Sequence, residues 1–267
     1  MIKEFVLPQV LSQESHNFFK YVGIYSFMKK KLLLISSSTL HGSGYLDHCA
    51  NEISMFIKER KEVLFIPYAR PSGITLNEYT DIARRRFDTM GYELTAIHEI
   101  NSPKEAVQSA EAIFIGGGNT FVLLKGLYES GIIGDIVSKV NGGTPYIGTS
   151  AGSNVAGQTI GTTNDMPIVQ PPSFTALGLV PFNINPHYLD PNPDSTHMGE
   201  TREIRIKEFH IFNAIDVVGL REGAMLDVLG EQITLKGSAG ARLFRKGKKP
   251  QEYFPGDSLD FLLFGKT

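Results

Sequence analysis

Gly148-Thr149-Ser150-Ala151-Gly152 sets a serine between two glycines, directly after the apolar run Pro145-Tyr146-Ile147. The run reads as a buried strand. Ser150 therefore falls where a strand turns sharply into a helix, which is the nucleophile-elbow pattern G-x-S-x-G. At such a turn the backbone is strained and the hydroxyl stands clear of the sheet. Gly148 and Gly152 have no side chains, so neighbouring elements can close around it. The chemistry indicated is acyl transfer: the serine attacks a carbonyl carbon and the amide N–H of Ala151 stabilises the negative charge that develops on the oxygen. A second glycine turn, Gly116-Gly117-Gly118-Asn119, follows the apolar run Ala112-Ile113-Phe114-Ile115. It matches neither G-x-G-x-x-G nor the P-loop, and no lysine follows in the place a P-loop needs it. Exposed amides near a helix start suit an anion. We read the turn as the other half of an oxyanion hole, with the Gly118 N–H facing the same point as that of Ala151.

A seryl nucleophile needs a base. Among His16, His41, His48, His98, His187, His197 and His210, His187 is the candidate. It lies in Asn185-Pro186-His187-Tyr188, a loop after the strand-like Phe182-Asn183-Ile184, and loops on a rigid scaffold commonly carry catalytic groups. His197 is its competitor, while His48 and His210 sit in helical patterns. The base in turn needs an orienting acid. Glu222, in Leu220-Arg221-Glu222-Gly223, and Asp165, in Thr163-Asn164-Asp165-Met166-Pro167, both qualify, and residue types alone do not choose between them.

Asp190, Asn192, Asp194 and His197 could be read as metal ligands, since Asp-x-Asn-x-Asp opens an EF-hand loop. Ser195 stands where that loop requires glycine, and Thr201 where it requires glutamate. We expect no metal and no other cofactor.

These groups need a scaffold, and the chain alternates apolar runs with helical patterns. Strands are expected at Leu32–Ser36, Val63–Ile66, Leu94–Ile97, Ala112–Ile115 and Tyr146–Ile147. Between them, Leu46, Cys49, Ala50, Ile53 and Ile57 recur at helical spacing. Thr75-x-x-Glu78 is a capping box opening a helix that runs to about Met90. Ser102-Pro103-x-Glu105 repeats a start signal, and a further helix runs from Asn119 to Ser130. Short, apolar, uninterrupted strands separated by helices indicate an α/β fold, a mostly parallel sheet with helices on both faces. Such sheets gather their sites beyond the carboxyl ends of the strands, where both glycine turns fall. After Gln170 the pattern weakens. A helix near Thr201–Asn213, strands around Val217–Leu220 and Gln232–Leu235, and a hairpin from Ala241 to Phe254 complete the reading.

Composition sets outer limits. The 267 residues are 42% hydrophobic, with no linker, repeat or low-complexity tract, so we expect one catalytic domain over residues 28–267. Residues 1–27 read as an extension ahead of it, either disordered or the product of an upstream start, with Met28 as a second candidate start. The net charge is -2 and no basic stripe is visible, which argues against a nucleic-acid partner. No apolar run is long enough to span a bilayer. The single cysteine, Cys49, excludes an internal disulfide and suits the cytoplasm.

The chain resembles the peptidase E family, the alpha-aspartyl dipeptidases, whose fold is class I glutamine amidotransferase-like. The resemblance runs from about Met28 to the C-terminus. It rests on Leu34–Thr39, on Phe114-Ile115-Gly116-Gly117-Gly118-Asn119-Thr120, on the Ser150 elbow, on Asn164–Ile168, on Asn185-Pro186-His187 and on His197–Glu203. It implies Ser150 as nucleophile, His187 as general base, Glu222 as third member, and the Gly118 and Ala151 amides as oxyanion donors. The order Ser…His…Glu differs from the order in α/β-hydrolases. It further implies hydrolysis of dipeptides Asp-X, and of a few longer amides, after an N-terminal aspartate, without a metal. That preference calls for a cation, and Arg202 is the motif-borne candidate. Asn119 is a candidate substrate contact. Asn119 also separates the chain from cyanophycinase-like peptidases, which prefer glutamine there. Those peptidases and a catalytically inactive binding domain are the alternatives. A glutamine amidotransferase proper would need cysteine in place of Ser150.

Overall fold

In the computed structural model, residues 30–192, 194, 196 and 199–264 are described. The extension read at residues 1–27, and His197, lie outside them.

The strands in chain order are β1 (Lys31–Ile35), β2 (Glu62–Ile66), β3 (Glu93–Ala96), β4 (Ile113–Ile115), β5 (Tyr146–Thr149), β6 (Asn183–Pro186), β7 (Val217–Leu220), β8 (Ala224–Leu229), β9 (Gln232–Gly237), β10 (Ala241–Phe244) and β11 (Gln251–Tyr253). The helices are α1 (Ala50–Ile57), α2 (Leu76–Thr89), α3 (Pro103–Ser109), α4 (Thr120–Glu129), α5 (Ile133–Asn141), α6 (Ala151–Asn154) and α7 (Arg202–Phe212).

Seven strands form the main sheet in the order β3-β2-β4-β5-β1-β8-β9. β1 to β5 run parallel, and β8 and β9 close the far edge antiparallel. Alternation along β1 shows why a continuous apolar run was needed. Leu32 and Leu34 belong to the core on one face, and Leu33 and Ile35 to the core on the other. Helices α1 and α2 cover the second face through Ile53, Ile57, Tyr79, Ala83 and Phe87. Helices α3, α4 and α5 cover the first through Val107, Leu124, Leu127, Ile136 and Val140. The α/β architecture with a mostly parallel sheet and helices on both faces is the one expected.

Local signals placed α2 and α3 closely. Thr75 accepts from the Glu78 amide at 3.2 Å, while the Glu78 carboxylate accepts from the Thr75 amide at 2.8 Å. Ser102 caps α3, with Pro103 at its first position.

Three features go beyond the sequence reading. Helix α5 and strand β8 lie outside the elements that the sequence pattern indicates. β6 and β7 pair in parallel within a separate sheet of four strands, ordered β11-β10-β7-β6. Strand order depends on which apolar runs meet in space, and periodicity along one run carries no information about its neighbour. No helix among the described residues is long and apolar enough to cross a membrane.

Candidate active site

Ser150 sits between β5 and α6 with φ 50° and ψ -109°, a conformation that a non-glycine residue rarely holds. Hydrogen bonds impose it. The Ser150 amide donates to Ile35 O at 3.0 Å, and Ser153 Oγ lies 2.7 Å from Ile35 O. The buried Tyr146 hydroxyl donates to Gly152 O at 2.6 Å. Gly152 is required by space, since a Cβ there would fall 2.1 Å from Ile115 O. The elbow is thus packed directly against the end of β4.

The glycine turn after β4 meets the elbow. A Cβ on Gly117 would stand 2.9 Å from that of Ser150. Gly118 has φ 137°, open to glycine and strained for other residues. No hydrogen bond from either the Gly118 or the Ala151 amide is found among the described residues. Tyr79, fully buried on α2, donates its hydroxyl to Gly117 O at 3.0 Å. In a planar trans peptide the carbonyl of Gly117 and the N–H of Gly118 point in opposite directions. By holding the carbonyl, Tyr79 therefore sets the direction of the amide. Burial pushes the Tyr79 phenol up to about 12, so it remains a donor at neutral pH. Thr75-x-x-Glu78 located the helix but gave no sign of this role for the residue beside it.

His187 follows β6 with φ 51°. Its amide donates to Ser36 Oγ at 3.0 Å, and that hydroxyl donates to Leu220 O at 2.7 Å. Asn164 donates to the carbonyl of the preceding Pro186 at 2.7 Å. The imidazole is then positioned with Nε2 2.9 Å from Ser150 Oγ and Nδ1 2.7 Å from Glu222 Oε1. Glu222 comes from the turn after β7. The register Pro186↔Leu220 places the ends of β6 and β7 side by side, so the residues that follow them meet. Arg221 anchors that turn through Asp190, with both oxygens at 2.7 Å, and through Glu252 at 2.9 Å. Asp190, one of the residues weighed as a metal ligand, is thus held in an ion pair.

Asp165 is located elsewhere in the same cleft. Its Oδ2 accepts from the Thr120 amide at 2.7 Å and lies 3.1 Å from Thr163 Oγ1, at the start of α4. The hydrogen-bonding carboxylate at His187 is that of Glu222. Both ends of the Asn119 side chain are engaged. Oδ1 accepts from Phe121 and Val122 amides at 3.0 and 3.1 Å, and Nδ2 donates to Met166 O at 2.9 Å. It caps α4 and fastens the segment around Met166 to the cleft wall.

Arg202 begins α7, half-buried, and forms no ion pair among the described residues. Burial lowers its pKa and Arg205 adds to that effect, while Asp165 opposes it. It borders a hollow with Leu189, Asp190 and Thr201, which shares no lining residue with the cavity of about 810 Å³ that holds Ser150, His187, Gly118 and Asp165.

A serine on a strained strand-to-helix elbow, within reach of a histidine that a carboxylate orients, on a mostly parallel α/β sheet, is the build of a serine hydrolase. Comparison with known proteins narrows the class. The family model for Peptidase family S51 matches residues 32–236. A Streptomyces coelicolor protein named "Peptidase E" is 48% identical over 232 residues, spanning 87% of this chain and 94% of its own. A Drosophila melanogaster protein named "Probable alpha-aspartyl dipeptidase" is 46% identical over 237 residues, spanning 88% and 98%. Among solved structures, a peptidase from an acI-B1 actinobacterium superposes with a TM-score of 0.67 at 19% identity, covering 88% of this chain and 98% of that one, which speaks to fold. The chain belongs to peptidase family S51.

Proposed function

We propose that this peptidase is a serine dipeptidase that hydrolyses Asp-X dipeptides after the N-terminal aspartate. The observation that carries the reading is the hydrogen-bonded chain from Ser150 through His187 to Glu222. In the first half-reaction His187 Nε2 takes the Ser150 proton as Oγ attacks the scissile carbonyl carbon. The oxygen becomes an oxyanion held by the Gly118 and Ala151 amides. His187 then gives its proton to the leaving nitrogen, the C–N bond breaks, and X departs while the aspartyl group remains as an ester on Ser150. In the second half, His187 deprotonates a water that attacks the ester carbonyl carbon, the C–Oγ bond breaks, aspartate departs, and His187 returns the proton to Ser150 Oγ. Glu222 holds the imidazole through Nδ1 and stabilises it while it is charged.

The aspartate side chain enters as an anion, and moving it out of water requires a replacement charge. Arg202, without an ion pair among the described residues and within electrostatic reach of Asp165, is the proposed partner, and Asn119 shapes the wall it enters along. Arg202→Ala is expected to lower kcat/KM for Asp-X by about 10- to 100-fold, the upper end if the pair is closed from water. Labelling of Ser150 by a fluorophosphonate should persist. An unaltered preference for aspartate over asparagine in this variant would place the cation elsewhere.

The Tyr79 contact yields a separate expectation. Tyr79→Phe releases the Gly117 carbonyl, so kcat should fall by about tenfold while KM stays level, because the amide it aims acts on the oxyanion rather than on the ground state. A change confined to melting temperature would show that Tyr79 only fills the core.

The reading as a whole is tested by assaying Asp-X dipeptides against Glu-X, Asn-X and X-Asp. Turnover confined to Asp-X supports it. Cleavage of an aspartyl-arginine polymer in preference to Asp-X would replace it.

A further inference from the structure

Arg70 follows the carboxyl end of β2 and lines the cavity that contains Ser150 and His187. Its side chain is exposed and has no partner among the described residues. Arg84, Arg86, Arg221 and Arg242, by contrast, are all in ion pairs. The backbone around it is unusual. Arg70 has φ 46°, Ser72 φ 52° and Gly73 φ 73°. Two successive turns hold that shape, from the Arg70 amide to Pro67 O at 3.1 Å and from the Gly73 amide to Arg70 O at 3.2 Å. Backbone strain of this kind gathers at ligand clamps. Arg70, Val122 and Val169 also border a second hollow of about 500 Å³, lined by Tyr68 and Leu76 among others. Arg70 thus stands at the junction between the Ser150 cleft and a partly apolar recess.

An Asp-X dipeptide carries two carboxylates, one on the aspartate side chain and one at the terminus of X. With Arg202 assigned to the first, the second lacks a cation. We propose that Arg70 receives the terminal carboxylate of X, with the side chain of X lying over Val122 and Val169 toward the recess. The planar guanidinium can take that carboxylate through two parallel N–H donors. The assignment rests on the dipeptidase reading and supplies a physical reason for a preference for dipeptides over longer substrates. A third residue turns the terminal carboxylate into a neutral amide and removes the charge Arg70 would hold.

The test compares the purified full chain and its Arg70→Ala variant on Asp-Leu, on Asp-Leu with an amidated C-terminus, and on Asn-Leu. Fluorophosphonate labelling of Ser150 serves as a check that the variant is folded. The wild type is expected to favour the free acid over the amide by about tenfold, the scale of one charge-assisted contact at a partly exposed site. Arg70→Ala should bring that ratio close to one while still favouring Asp-Leu over Asn-Leu. Arg70→Lys should fall between. A labelled variant that keeps the full ratio, or a wild type that does not distinguish acid from amide, overturns the assignment. Loss of the aspartate preference instead would move Arg70 to the other carboxylate and also overturn it. A wild type that cleaves no Asp-X substrate removes the dipeptidase reading itself, a failure distinct from the others.

Discussion

Ser150→Ala is expected to lower kcat for an Asp-X dipeptide by about 10⁴-fold or more, with the fold intact. The size follows from the mechanism. Without Oγ no acyl-enzyme forms, and His187 loses the proton it takes in the first step. What remains is the oxyanion hole and substrate binding, which leave a small residue of catalysis over water. The fold should survive because the strain at residue 150 is imposed from outside. Ile35 O, Tyr146 and Ser153 hold the elbow through bonds that do not involve the serine hydroxyl. Steady-state assay together with thermal unfolding checks both halves. Near-normal turnover in a clean preparation would remove Ser150 from the chemistry.

His187→Ala should be nearly as damaging. One imidazole both takes the seryl proton and delivers one to the leaving nitrogen, so its removal halts the same step, and the two losses should not add in the double variant. The acids should separate more clearly. Glu222→Ala frees Nδ1 and should reduce kcat by about 10²- to 10⁴-fold, the range set by loss of an orienting carboxylate. Asp165→Ala removes an acceptor at the Thr120 amide, so its main effect should be on stability. A capping loss costs about 0.5–2 kcal/mol. Chemical denaturation of the two variants beside their kcat values tests this ranking. If Asp165→Ala were the more inactive of the two while keeping its stability, Asp165 would have a part in the chemistry. His197→Ala should be milder than His187→Ala.

How much of this is legible in the chain varies with the range of the signal. The α/β class, α2 with its capping box, α3 with its proline and the strands β1 to β5 are written locally. Apolar run length, start residues and glycine stops act within a few positions of where they stand. The elbow at Ser150 and the turn at Gly118 are local too, because a strained φ and a close approach both require glycine neighbours. His187 could be singled out as a loop residue after a strand, although the sequence offered His197 beside it.

The choice of acid was not local. Glu222 and Asp165 both sit at ends of apolar or polar turns, and only the parallel pairing of β6 with β7 brings residue 222 beside residue 187. Ser36, Tyr79 and Asn164 were equally silent as supports, since each acts through hydrogen bonds to backbone groups far along the chain. The sequence by itself therefore determined the elements and the residues at their ends. Which ends meet was decided by sheet order and register, because strands buried on both faces, as β6 and β7 are, carry no alternation that would mark a register or a neighbour.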